Sequence, residues 1–266
     1  MKKHFIPAAL FSLVAALWGC SPQELSYRME DFSANNPDGD TLSGEAGVRV
    51  SLHYPVFSSA SPADADRTNR VVDSLVFGAQ GSADTLCARF FRRWDAFRNA
   101  MQGTPDPSSR QNTEPTEQEA GSDYLSPWYY AASLEVEADY RGCLSLSYTV
   151  STNALDAPGS SLRKYYVLDS RQGTLLSAAE VFSDTLTLRK LLTDTFLEKL
   201  EATPGMPLQE QGILLPADGQ LPLTDDFRIS PLGATFRYDM SAIAPTILPE
   251  SEIFLPAEVV EPLYRK

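Results

Sequence analysis

Histidine is almost missing from this chain. The sequence holds two, His4 and His53, beside three cysteines, Cys20, Cys87 and Cys143. Zinc takes three or four ligands from histidine, cysteine and carboxylate, and no His-x-x-x-His or Cys-x-x-Cys spacing occurs. No Gly-x-Ser-x-Gly elbow presents a serine nucleophile, and no glycine-rich loop would cradle phosphate. Asp38-Gly39-Asp40 is too short a match to a calcium loop. Neither a metal nor another cofactor is therefore expected. Basic residues are scarce as well, 22 against 35 acidic, for a net charge of −13. Such a surface repels nucleic acid and anionic lipid and favours cationic partners. Beyond the first residues no apolar run approaches the ~18 residues of a membrane-spanning helix.

What is present begins with an export signal. Met1-Lys2-Lys3-His4 is a short basic head, Phe5 to Trp18 is apolar, and Gly19-Cys20 follows. The apolar stretch is shorter than the ~20 residues of a spanning helix and has the build of a secretory signal. Leu17-Trp18-Gly19-Cys20 looks like a lipobox, with Trp18 in place of the usual small or polar residue. Residues 1–19 are thus expected to be a lipoprotein signal peptide. Acyl chains on Cys20, worth roughly 0.8 kcal/mol per buried methylene, would anchor the rest to a membrane of the bacterial envelope. Removing residues 1–19 takes away Lys2 and Lys3 and no acid, leaving 20 basic side chains against 35 acidic. In an oxidising compartment the remaining Cys87 and Cys143 are candidates for a disulfide, worth about 4 kcal/mol in the chain-entropy model. Two separate buried thiols satisfy the sequence equally well.

Residues 20–45 are polar and turn-rich and read as a disordered tether. Val48 to Tyr54 alternates as a strand, which Pro55 ends or marks as an edge. Ser61-Pro62 opens a helix with Val71, Val72, Leu75 and Val76 on one side, and Gly78 can stop it. Ser82 caps a second helix, whose Leu86, Phe90, Trp94, Phe97 and Met101 recur at helical spacing. Residues 102–123 are almost wholly polar and read as an exposed insertion. Ser133 to Tyr140 and Cys143 to Val150 alternate around Arg141-Gly142 as a hairpin. After a loop at 152–161 come a strand from Leu162 to Asp169 and a helix over about 184–201. A proline- and glycine-rich loop follows at 202–222. A second hairpin (Phe227 to Asp239), a last strand (Glu252 to Leu255) and a short helix from Pro256 complete the chain. This order predicts an α+β fold, helices packed on a mostly antiparallel sheet. Two adjoining subdomains are expected, residues 46–155 and 156–266.

The second half carries a resemblance. Tyr165-Tyr166-Val167-Leu168-Asp169 leads to Gly173-Thr174-Leu175-Leu176-Ser177 and Val181-Phe182. Phe227-Arg228-Ile229-Ser230 and Gly233-Ala234-Thr235-Phe236 precede Tyr238-Asp239-Met240-Ser241-Ala242-Ile243-Ala244-Pro245. Ile253-Phe254-Leu255-Pro256 comes last. Together these resemble the C-terminal ectodomain of RsiV-type anti-sigma factors, found also beside the catalytic domain of PdaC-type peptidoglycan deacetylases. The segment from Val48 looks like the partner domain that usually precedes it, so the resemblance spans about 46–266. It implies an extracytoplasmic binding or sensing module, with lysozyme as a partner. The family's glycine-rich loop with histidine is replaced by Asn153 to Ser161, which puts a ligand role for that loop in doubt. With no second apolar run, sequestration of a sigma factor is not expected.

Catalytic groupings are weak. His53 lies on the first strand with no serine elbow to serve. Glu135 and Glu137 share a strand face, and glycosidase chemistry would need two carboxyls in different environments. Asp225-Asp226 sits where a turn is capped. Aromatics are the better sign of a binding surface: Trp128, Tyr129, Tyr148, Tyr165 and Tyr166 cluster on the central strands, and exposed Tyr and Trp favour protein or sugar contact. The sequence therefore predicts a non-enzymatic envelope lipoprotein. Its partner is expected to be a cationic protein such as lysozyme or, alternatively, cell-wall glycan; a structural part in an envelope complex is a further alternative.

Overall fold

A computed structural model of the chain describes residues 25–36, 48–59, 61–78, 81–102, 128–154, 157–246 and 250–265. The expected signal segment with Cys20, and the polar insertion from 103 onward, lie outside these residues.

The fold is α+β. Six strands form one sheet in sequence order: β1 (Ser26–Asn35), β2 (Arg49–Ser58), β3 (Tyr129–Tyr140), β4 (Cys143–Ala154), β5 (Ala157–Asp169) and β6 (Thr174–Leu176). All neighbours are antiparallel except β2 and β3. A parallel pair needs a long crossover, supplied here by α1 (Pro62–Phe77) and α2 (Ala83–Gln102). Both helices start where their sequence signals lie, and α1 also stops at its own. Pro62 occupies the first turn of α1 and Gly78 follows its end at φ 70°. The Ser82 hydroxyl accepts the Thr85 N–H at 3.2 Å, capping α2. Arg141 and Gly142, at φ 56° and 75°, make the left-handed turn between β3 and β4 that a two-residue hairpin favours.

Past β6 the chain forms α3 (Ala178–Val181) and α4 (Thr185–Lys199). It then closes a three-stranded antiparallel sheet of β7 (Phe227–Ser230), β8 (Gly233–Asp239) and β9 (Glu250–Pro256), ending in α5 (Ala257–Val260).

Two hydrophobic cores lie on the two faces of the larger sheet. Leu134, Leu144, Leu146 and Leu168 face α1 and α2, joining Phe90, Trp94 and Trp128. Val167, one residue from Leu168, belongs to the other core, with Phe182, Leu188, Phe196, Phe227 and Phe236. Strand alternation thus divides the interior. Behind α1, Gly173 adopts φ 63°, and an added Cβ would lie 2.9 Å from the Arg67 Cβ and the Thr68 nitrogen. This glycine lets the β5–β6 turn sit directly on the helix.

The structure departs from the sequence reading in three places and decides between the two readings of Pro55. The expected tether contains β1, which pairs with β2 along its whole length. Its polar composition misleads because an outer strand has one protein neighbour and meets solvent on the other edge. Pro55 marks an edge of β2 rather than its end. β3 pairs with β2 only through His53; beyond that point, among the described residues, no strand pairs with that side of β2, where Asn69 of α1 bonds the Phe57 backbone instead, so a missing N–H at Pro55 is tolerated. The expected loop at 152–161 is mostly strand: Ser151 and Thr152 of β4 oppose Ser161 and Ser160 of β5, and the Asn153 side chain accepts the Gly159 N–H at 3.1 Å. Finally, the expected subdomain boundary at 155/156 falls between β4 and β5, which pair with each other. Two cores share one sheet instead.

Candidate functional site

A cavity of about 770 Å³ forms a groove along the outer edge of β5. One wall is β5 itself, through Leu162 and Lys164. The other is the 214–226 segment with Leu214, Leu215 and Leu223, closed at one end by Tyr238 and Ile243. Leu162 and Leu214 both line the groove and remain 50% and 47% exposed, so it offers apolar surface on both walls.

The far wall is held firmly. Arg189 of α4 donates from Nε to the Leu221 carbonyl at 2.8 Å and reaches Asp218 at 2.7 Å. The Thr193 hydroxyl accepts the Leu221 N–H at 2.9 Å. The Tyr238 hydroxyl donates to the Pro222 carbonyl at 3.0 Å, and burial pushes its phenol pKa up. Leu214 N–H donates to the Ile243 carbonyl at 2.7 Å. A segment read from sequence only as a loop is thereby a fixed wall.

The floor is polar. Asp226 accepts the backbone N–H of Tyr165 at 2.7 Å and a bond from Arg237 at 3.2 Å. Burial raises the Asp226 carboxyl pKa, outweighing the Tyr165 N–H and the Arg237 charge. Asp225 accepts the Ala178 N–H at 2.8 Å, and Asp239 the Ser241 N–H at 2.9 Å. The Asp225-Asp226 pair does cap, as expected, but it caps a helix start and a strand edge rather than one turn.

The aromatics do not assemble into one surface. Trp128, Tyr148 and Tyr165 are buried, which corrects their expected role as ligand contacts. Trp128 stacks on Phe97 with centroids 5.2 Å apart and meets Trp94 edge-on. The Tyr148 hydroxyl lies 3.3 Å from that of Tyr130. Tyr165 donates to Glu252 at 2.8 Å beneath the Arg163 and Arg228 guanidinium groups. Tyr129 and Tyr166 are half-buried, and the Lys164 ammonium lies 5.2 Å from the Tyr166 ring centroid. Period-two alternation assigns each ring a face, but here both faces of the sheet carry a core.

Cys87 and Cys143 are free thiols. Cys87 belongs to the helix-side core and Cys143 packs against the other, so the sheet separates the pair. Burial pushes the Cys87 thiol up to about 11 and raises Cys143 as well. Glu137 bridges Arg228 at 3.1 Å and Arg163 at 3.8 Å, while Glu135 accepts the Ser133 hydroxyl at 3.0 Å. His53 sits between Asp31 and Ser133 on neighbouring strands and bonds Asp31 at 2.7 Å. The Ser133 hydroxyl turns to Glu135 instead, so no acid–base–hydroxyl relay is formed. Among the described residues no group of three metal-ligating side chains occurs, and no helix is long and apolar enough to cross a membrane.

Sequence reading missed the groove. Ile213-Leu214-Leu215-Pro216, an apolar run inside an otherwise polar loop, was the available signal.

No protein-family model matches the chain, and no curated protein does. Its fold is nevertheless found in solved structures. A crystal structure of a DUF3298 family member from Bacteroides fragilis superposes with a TM-score of 0.62 at 17% identity, over 92% of this chain and 94% of that one. A DUF3298 family protein from Pseudomonas aeruginosa gives 0.58 at 14%, over 91% and 95%. The likeness is one of fold.

Proposed function

We propose that the protein is a non-enzymatic binding module, held in the bacterial envelope by lipid on Cys20, whose partner is a cationic protein such as a lysozyme. The observation that carries the binding reading is the groove: a hydrogen-bonded far wall, exposed leucines in its lining, and three aspartates each engaged in a structural hydrogen bond. A carboxylate so engaged is poorly placed to shuttle protons, whereas a preformed, partly apolar cleft is suited to holding a partner. The charge of −13 and the resemblance of residues 46–266 to lysozyme-binding ectodomains support the choice of partner. Complementary fields would speed encounter.

Titrating the purified protein with lysozyme at low salt and at ~0.5 M salt tests this, because exposed attraction is screened at the higher ionic strength. Binding that weakens with salt is the expected outcome; no binding in either buffer removes the lysozyme partner. A second reading, glycan binding, draws on a shallow depression over β1 to β4, beside the core of that face, lined by Ser33, Ser51, Ser133, Thr149 and Ser151 with Arg49. Retention on insoluble cell wall without lysozyme binding would favour it.

A further inference from the structure

The six-stranded sheet has two outer edges, and they differ. β1 carries charge along its edge, with Arg28 paired to Glu30 and Asp31 to His53. Charge on an outer strand discourages pairing. β5 is covered by β6 only from Val167 to Asp169, and among the described residues no strand pairs with its outer edge before that point.

The direction of the exposed backbone follows from one bond. Tyr165 N–H points away from β4, because it donates to Asp226. In an antiparallel ladder this orientation repeats every second residue, so Arg163 and Ser161 turn their N–H and C=O groups outward too. The Asp226 carboxylate stands where the carbonyl of a neighbouring strand would stand. Beside this edge lies the groove, with Leu162 on one wall and Leu214 and Leu223 on the other.

We propose that the β5 edge from Ser161 to Lys164, up to the point where Asp226 caps it, is a strand-addition site, taking an extended segment of a basic partner polypeptide whose alternate apolar side chains enter the leucine-lined groove. Backbone bonds supply the attachment and the groove selects the side chains, as in other strand-addition sites. The occupant must be a polypeptide, since only an extended main chain offers donors and acceptors at the spacing of the edge. It is basic by charge complementarity. Asp226 and Arg237 neutralise each other, which leaves Asp225 and Asp239 against Lys164 in the lining. The inference rests on the binding-module reading and gives it a mode of attachment.

The test uses a fluorescent, end-capped peptide of about seven residues, the length of a short strand, with alternating valine and lysine. Its binding to the purified protein is read by fluorescence anisotropy. Ser161→Pro removes an outward N–H and leaves the backbone bonds to β4 in place, at the loss of one exposed hydroxyl contact with Ser151 at 3.2 Å; it should weaken binding about tenfold while circular dichroism and the melting temperature stay close to the parent. Should that variant fail to fold, the peptide N-methylated at all its amides decides: it should not bind the parent protein. Failure of the parent to bind the unmodified peptide, equal binding by a folded Ser161→Pro variant, or equal binding of the N-methylated peptide overturns the strand-addition site. Lysozyme titrated in parallel separates the two readings. Lysozyme binding without peptide binding leaves the module and removes this edge, and the converse keeps the edge and removes that partner.

Discussion

The two faces of the six-stranded sheet are covered by different means. On the helix side, contact is mainly apolar: Phe90, Trp94 and Phe97 of α2 gather around Trp128, with ring centroids 5.2 to 6.1 Å from it, while Asn69 of α1 adds a polar tie to the Phe57 backbone at the end of β2. On the other side, side chains cross to backbone. Ser145 of β4 donates its hydroxyl to the Ile229 carbonyl at 2.7 Å and accepts the Ile229 N–H at 2.9 Å, both residues buried. Asp226 reaches Tyr165, and Glu137 reaches Arg228. A dispersion-bound layer gains its energy from area and tolerates small shifts. A layer bonded through buried polar groups is fixed in orientation, because each misplaced group would be left unpaired.

The comparison can be broken in order of effect. Trp128→Ala should be the most damaging, costing about 3–5 kcal/mol by loss of burial and an unfilled cavity; urea denaturation measures it. Ser145→Ala removes one oxygen and no appreciable volume, yet leaves two buried backbone groups of Ile229 unbonded. A loss of about 1–3 kcal/mol is expected, and a neutral result by the same denaturation would show that the joint is not polar in its energetics.

Acid should act on one side only. Glu180, Asp184, Asp218 and Asp239, all on the β7–β9 side, are held below the ordinary carboxylate range, the first by the Ser177 hydroxyl and N–H. For Asp184 the cause is the Thr187 N–H, for Asp218 Arg189, and for Asp239 the Ser241 N–H. Their stabilisation is present above the unfolded values, near 4, and is lost as pH falls through the lower folded ones. Asp73 on the helix side and Asp226 on the other are raised by burial, so their contributions have the opposite sign: present at low pH and lost as pH rises through the folded value, which leaves the four lowered carboxylates as the acid-sensitive excess of the β7–β9 side. Hydrogen exchange followed from about pH 5 down to about pH 3 should therefore show α4 and β8 losing protection before α1 and α2. Simultaneous loss would mean that the two sides unfold as one unit.

Much of this was readable from residues with local signals. Leu86, Phe90 and Trp94 marked α2, Arg141-Gly142 the first hairpin, and Ser82 and Gly78 the helix limits. What escaped depends on distant neighbours. β1 looks like a linker because its pairing partner begins at Arg49. The serine and threonine ladder between Ser151 and Ser161 resembles a loop because it packs little. Of the groove, the sequence showed Asp225-Asp226 as capping residues, but nothing local places Leu214 opposite Leu162. The aromatics were found but misassigned, since whether a strand face is solvated depends on what folds over it. Here β7 covers the face that Tyr165 occupies.

β4 belongs to both interiors at once. Leu144, Leu146 and Tyr148 project to one side, Ser145 and Ser147 to the other. Displacing this strand by a single residue would thrust hydroxyls among the tryptophans and leucines against the Ile229 amide. The unlike coverings thus act as a ratchet tooth against slippage, and the placement of β5, with the groove beside it, inherits that fixed phase.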